Sequence, residues 1–401
     1  MQDALETEGG RVSEAAPAWG AVVAMGLGVF GLVGAEFLPA SLLTPMAAEL
    51  GVTEGMAGQA VTATAAVALV TSLLIATITR RIDRRYVLLG FSVLLILSNL
   101  LVAAAPNLPL LLAGRILLGV ALGGFWTLSA ATVMRLVPER NVPRALSIML
   151  SGVSAATIFA APVGSYLGDL AGWRTVFLAA AGLGVLTLIV QFATLPSLPP
   201  RGRARLGSLV EVLSRRAVGY AMLAILMVFT GHFAFFTYIR PFLETVTGVG
   251  VTGVSTILLG FGIANLLGNY LGGFLLERSL RLTLAIMPLI MGTLALALSA
   301  IGGTLFLDAA MVVAWGLAFG AVPVGWSTWI TRAVPDEAES AGGLLVAAIN
   351  LAIATGAAVG GLIFDASGVG TVFLASGIVL IAATLAILGR VQTKALAAKA
   401  A

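Results

Sequence analysis

Long apolar stretches alternate with short polar or basic interruptions along almost the whole chain. A helix that crosses a bilayer needs about 20 apolar residues in succession. Twelve runs qualify, near residues 19–42, 58–79, 86–105, 110–134, 145–168, 175–195, 217–239, 254–276, 282–302, 309–331, 341–364 and 371–389. The pattern predicts an all-α membrane protein of twelve transmembrane helices, with no long soluble domain between them. The interruptions also sort by charge. Lys and Arg collect in cytoplasmic loops, and the loops after even-numbered spans hold Arg80, Arg81, Arg84 and Arg85, then Arg135, Arg140 and Arg144, and further Arg201, Arg203, Arg205, Arg215, Arg216, Arg278, Arg281 and Arg332. The opposite loops hold only Arg174 and Arg240, so both termini are expected in the cytoplasm.

The twelve spans divide in two. At a shift of 196 or 197 residues, Arg135-Leu136-Val137-Pro138-Glu139 falls on Arg332-Ala333-Val334-Pro335-Asp336, and Arg81 and Arg84 fall on Arg278 and Arg281. Gly164, Asp169, Gly172 and Thr175-Val176-Phe177-Leu178-Ala179 fall on Gly360, Asp365, Gly368 and Thr371-Val372-Phe373-Leu374-Ala375. The expected organisation is a cytoplasmic tail over 1–18, a six-helix bundle over 19–195, a cytoplasmic linker over 196–216 and a second six-helix bundle with a short cytoplasmic tail over 217–401. The tail lacks the basic start and cleavage box of a signal peptide, and the linker carries three prolines and five arginines. Two pseudo-symmetric six-helix bundles in parallel repeat place a substrate site between them near mid-membrane, which is the architecture of a transporter.

Composition narrows the reading further. Hydrophobic residues make up 59% and charged residues 10% of the 401 positions, against about a quarter charged in a soluble domain. The 48 glycines sit within apolar runs, where small residues let helices approach closely in lipid. The basic excess, 22 against 18, consists of loop charges and gives no reason to expect a nucleic-acid partner. There is no cysteine, and neither a P-loop nor a metal-ligand cluster stands out, so no enzyme activity, metal or cofactor is expected. Without a nucleotide-binding motif, uphill transport must draw on an ion gradient. The expected partners are a small-molecule substrate, protons and the lipid bilayer, with the chain acting as a monomer.

Ionisable side chains within a span are costly and so are functional candidates. Glu36 lies in the outer half of the first span, and Arg115 about five residues into the fourth, roughly 7–8 Å deep at 1.5 Å per residue. Their matched depths allow a pair that would be either a static packing bridge or part of proton coupling. His232, the single histidine, falls opposite Glu36 in the repeat and is a third candidate for proton coupling, with hydrogen-bonded packing as the alternative. Aromatic residues including Trp126, Phe233, Phe236 and Trp326 could stack on a planar ligand or simply pack. Asn265 and Asn269 share one helix face at i, i+4 and, with Asn350, could bond a polar ligand or a neighbouring helix.

The residues also resemble a known family. Glu36-Phe37-Leu38-Pro39, Leu42-Leu43-Thr44-Pro45-Met46-Ala47 and Glu49-Leu50-Gly51-Val52-Thr53 are similar to the first span of the drug/proton antiporter branch of the major facilitator superfamily. Arg115 with Gly119 and Gly123 resembles its fourth-span arginine motif, and Ala161-Pro162-Val163-Gly164-Ser165 through Gly172-Trp173-Arg174 its fifth-span antiporter motif, with Ala161 in place of the usual glycine. Gly273, Glu277, Arg278 and Arg281 fit the gating motif between spans eight and nine. Its counterpart between spans two and three departs from the pattern: Arg80 stands at the acidic position and Asp83 at the glycine, followed by Arg84. Within the branch, Gly123-Gly124-Phe125-Trp126, Phe235 to Pro241 and Pro323 to Arg332 are most similar to bacterial exporters of purine ribonucleosides. The resemblance implies proton-coupled export of inosine- or guanosine-like nucleosides by alternating access in the bacterial inner membrane, with Glu36 and Arg115 in proton coupling. Multidrug or sugar efflux is the alternative, and a non-transporting membrane sensor is a rival of another class.

Overall fold

The computed structural model describes residues 17–200, 213–334 and 338–391. It is helical in the order α1 (Trp19–Ser41), α2 (Leu43–Leu50), α3 (Glu54–Ile78), α4 (Arg84–Ala104), α5 (Leu108–Leu136), α6 (Val142–Ala171), α7 (Trp173–Thr194), α8 (Arg216–Thr237), α9 (Ile239–Thr245), α10 (Val251–Arg278), α11 (Leu280–Ile301), α12 (Leu305–Ala333), α13 (Ala338–Ser367) and α14 (Val369–Arg390). Twelve of these are long and apolar enough to span a membrane, and α2 and α9 are short continuations of the first span of each bundle. No strand occurs among the described residues. The expected end segments, and most of the linker after Pro200, lie outside the described residues.

The repeat is visible in the backbone. α1 breaks at Leu42 (φ −115°, ψ 10°) and α8 breaks at Tyr238 (φ −109°, ψ 15°), 196 positions apart. Each short helix that follows has proline at its third position, Pro45 and Pro241. Proline has no N–H to give the carbonyl four residues back, so the first helix loses continuity there. Gly172 (φ +83°) and Gly368 (φ +80°) make the corresponding sharp turns from α6 into α7 and from α13 into α14, a conformation that suits glycine.

One bundle packs α1 on α6, α3 on α5, and α4 on α5 and α7; the other packs α8 on α13 and α14, α10 on α12, and α11 on α12 and α14. Gly119 and Gly123 of α5 let that helix lie directly on the main chain of α3 at Thr64 and Ala68, the close approach expected of small residues in a membrane bundle. The bundles meet chiefly through α3 against α13 and α6 against α10. At the second seam, a Cβ on Gly262 would lie 2.7 Å from the main chain of Thr157 and Ile158.

Candidate functional site

Glu36 sits where the bundles meet. Its side chain is buried, and it lines a small pocket with Phe37, Ala40, Val61, Phe233, Phe236 and Thr237. Phe37 and Phe236 touch edge to face across the interface at 5.5 Å between centroids. The pocket holds about 10 Å³, room for about one water molecule and far too little for a nucleoside. The Thr237 hydroxyl, sealed in its wall, has no protein partner. The carboxylate oxygens of Glu36 accept from no donor among the described residues, so they are open to a proton, a water or a substrate donor.

Arg115 does not pair with that carboxylate. It is fully buried, and its guanidinium donates to main-chain carbonyls: Nη1 to Ala35 O at 2.8 Å, Nη2 to Glu36 O at 3.3 Å and Nε to Ala60 O at 3.2 Å. The cause lies in α1 itself. Pro39 falls inside the helix, so the carbonyl of Ala35 loses its donor four residues on, and Arg115 supplies one. The matched depths read from the sequence are real in the fold, but the partner is the kinked backbone that carries Glu36.

His232, on α8, is buried, and its Nδ1 accepts a hydrogen bond from Trp315 Nε1 at 3.0 Å. Phe319 lies flat on its ring at 3.3 Å between centroids, Phe236 lies nearly parallel at 5.7 Å, and Phe233 meets it edge-on at 4.9 Å. Phe233 and Phe236 therefore separate His232 from the Glu36 pocket. Asn265 is half-buried with Nδ2 3.5 Å from Gly316 O, and Asn269 is exposed one turn further along α10. Both continue the face on which Gly262 meets α6.

Other expected contacts are not brought here. Trp326 is fully buried inside its own bundle, edge to face with Trp329 at 6.2 Å. Asn350 bonds Val346 O within α13 at 3.0 Å, and Trp126 packs against the core of the first bundle. Pro162 lies inside α6, and Gly164 brings that helix against Leu38 and Ser41 of α1.

The gating-motif residues lie far from the pocket and do not clasp one another. Asp83 caps α4, accepting from Arg85 N at 2.9 Å, Leu198 N at 2.8 Å and Ser197 Oγ at 2.5 Å. Partial desolvation raises its pKa, but the hydrogen bonds from Ser197, Arg85 and Leu198 and the charge of Arg135 outweigh that, and the carboxyl is held below the usual value. Arg84 bonds Thr79, Arg278 lies over Phe274 at 4.5 Å, and Arg281 bonds Leu388 O. Gly273 and Glu277 are exposed.

At the opposite end the two bundles are joined by side-chain hydrogen bonds. Arg240, in α9 and buried, reaches Ser41 O of the other bundle, the carbonyl that Pro45 leaves without a donor. It also bonds Glu244 at 2.7 Å, and Glu244 accepts from Thr44 at 2.6 Å. Asp365 of α13 accepts from Thr53 Oγ1 at 2.7 Å and Gly55 N at 3.1 Å, so it holds the start of α3 from across the interface. A signal was present: Arg240 is one of two arginines, with Arg174, on the face that the charge bias otherwise empties of Arg.

Two six-helix bundles that seal at one end, with a partnerless carboxyl group in the seam, define a secondary carrier. Residues 25–346 match the Major Facilitator Superfamily, and the chain belongs to that family. It is 48% identical over 378 residues to the purine ribonucleoside efflux pump NepI of Escherichia coli (strain K12), covering 94% of this chain and 96% of that protein. The protein of the same name from Shigella flexneri matches to the same extent. Among solved structures, the D-xylose-proton symporter superposes with a TM-score of 0.76 at 17% identity, over 94% of this chain and 99% of that one. A bacterial homolog of the human lysosomal transporter Spinster, inward-facing and unoccupied, superposes with a TM-score of 0.74 at 14% identity, over 95% and 98%. The likeness to these two structures concerns the fold.

Proposed function

We propose that this protein exports purine ribonucleosides across the bacterial inner membrane in exchange for protons, as a monomer, by rocking its two bundles about the Glu36 seam. The observation that carries the substrate is the 48% identity over nearly the full length of a relative named for purine ribonucleoside efflux. The basic loops and both termini are cytoplasmic in this reading, residues 196–216 form the cytoplasmic linker between the bundles, and the Arg240 and Asp365 clasp is the outer gate. A 10 Å³ pocket then belongs to the sealed outer end of the path, and the nucleoside enters from the cytoplasmic side toward Phe233, Phe236, His232, Asn265 and Asn269.

Glu36 is the proton site in this mechanism. Its oxygens face the seam without a protein donor, so a proton arriving from outside and a donor group arriving with the substrate meet the same carboxyl. Arg115 makes no hydrogen bond to that carboxyl; it holds the kinked segment of α1 that carries it. The test is inosine-driven proton movement in proteoliposomes of the purified protein. Glu36→Gln is expected to abolish the proton signal while the protein still folds and binds nucleoside. Undiminished coupled transport by that variant overturns Glu36 as the proton carrier, and transport of unrelated lipophilic cations or sugars without any of nucleosides overturns the substrate class.

A further inference from the structure

The ring of His232 carries a hydrogen-bonding group that the fold leaves unused. Trp315 Nε1–H donates to Nδ1, and a neutral imidazole that accepts at Nδ1 has its proton on Nε2. Trp315 is itself fixed, fully buried and stacked on Phe235 at 3.8 Å and 9°. The tautomer is therefore set from behind, and Nε2–H is presented at the other edge of the ring. Phe319 covers one face of the imidazole at 3.3 Å and 4°, but a stacked neighbour occupies a face and leaves an in-plane N–H uncovered. That Nε2–H donates to no described residue, nor is it among the polar atoms sealed from all contact without a partner, so it keeps an opening.

His232 adjoins the seam through Phe233 and Phe236, which stand between it and the Glu36 pocket. His232 lies one turn from Phe236 on α8, and Phe236 lines the Glu36 pocket and touches Phe37 of the other bundle. The donor thus stands beside an aromatic wall, on the side of the pocket away from the outer clasp.

We propose that His232 is a specificity residue whose Nε2–H donates to the 6-oxo oxygen of the base, so that the carrier selects 6-oxopurine over 6-aminopurine ribonucleosides. This rests on the purine ribonucleoside reading given above. Inosine and guanosine present an acceptor at that position, whereas adenosine presents an amino group, so a donor would meet a donor. A site built to hydrogen-bond a substrate group rejects analogues that leave its own group unpaired. Trp315 is the positioning residue: with the proton on Nδ1 instead, Nε2 would accept, and the preference would turn toward the amino group. A ring proton at Nδ1 would also break the Trp315 bond, since an indole N–H only donates. The assignment moves His232 from proton coupling to substrate recognition.

The test is displacement of radiolabelled inosine from the purified protein by unlabelled inosine, adenosine and purine riboside, which lacks any 6-substituent. In the wild type, adenosine and purine riboside are expected to compete about tenfold less well than inosine. His232→Phe is expected to bring the three within about threefold of one another by weakening inosine, and His232→Gln, which keeps an N–H donor, to retain part of the preference. Trp315→Phe is expected to shrink the preference while inosine still binds. A wild type that treats inosine and purine riboside alike overturns the proposal without need of any variant, as does a His232→Phe protein with undiminished preference. A wild type that binds no nucleoside at all overturns the purine reading itself and this assignment with it.

Discussion

Pro39 and Arg115 act as one device. The proline frees the Ala35 carbonyl within the first span and the guanidinium takes it, along with the carbonyls of Glu36 and Ala60. Hydrogen bonds from a charged donor to buried acceptors each contribute about 1.5–3 kcal/mol, and an orphaned buried acceptor adds to the loss. Arg115→Ala is therefore expected to lower the unfolding free energy of the detergent-solubilised protein by about 3 kcal/mol or more. Pro39→Ala restores an N–H to the Ala35 carbonyl, so the same arginine change in that background should cost about 1 kcal/mol less. Equal costs in the two backgrounds, measured by denaturant unfolding, would remove the compensation argument.

The loop between α3 and α4 shows how an element is anchored from outside itself. Asp83 starts α4 and at the same time holds Ser197 and Leu198, the chain that leaves α7. Its carboxyl is held below the usual carboxylate range, the hydrogen bonds and the Arg135 charge overcoming a desolvation that acts the other way. A depressed carboxylate contributes stability above the unfolded pKa, and that contribution is lost as pH falls through the folded value. Wild type and Asp83→Ala should differ in Tm by a constant amount from neutral pH down to about pH 4, and the difference should close below that. A difference that grows on acidification would contradict the sign.

Across the whole molecule, two seams decide which end opens. Arg240 with Ser41, Glu244 with Thr44, and Asp365 with Thr53 and Gly55 join residues from different bundles at one end. Removing a charged member leaves main-chain groups without partners, so the clasp should loosen as a unit. The chain has no cysteine, so a single cysteine at Val61 reports access to the seam without background labelling. Arg240→Ala and Asp365→Ala are each expected to raise its modification by a membrane-impermeant maleimide from the outer side by about tenfold. Unchanged labelling in both would mean that the clasp does not hold the gate.

The twelve spans, the two-fold division and the candidate charges follow from features carried locally: apolar runs long enough for a bilayer, loop arginines, and motifs repeated 196 positions on. Such features read directly from sequence, because helix formation and insertion depend on contiguous residues. The paired breaks at Leu42 and Tyr238 were also latent in Pro45 and Pro241. Contacts between residues far apart in the chain are another matter. Thr44 and Glu244 are 200 positions apart, and Thr53 and Asp365 are 312 apart. Only the packing of α3 on α13 and α6 on α10 brings such groups together. Depth along a helix placed Arg115 level with Glu36, but the Pro39 kink gave it main-chain carbonyls rather than the carboxylate. Likewise the sequence supplied a lone histidine, and the neighbouring Trp315 decided which of its nitrogens accepts. Sequence determined which groups enter the membrane; tertiary packing chose their partners, because a buried polar group bonds whichever free donor or acceptor the fold sets within about 3 Å.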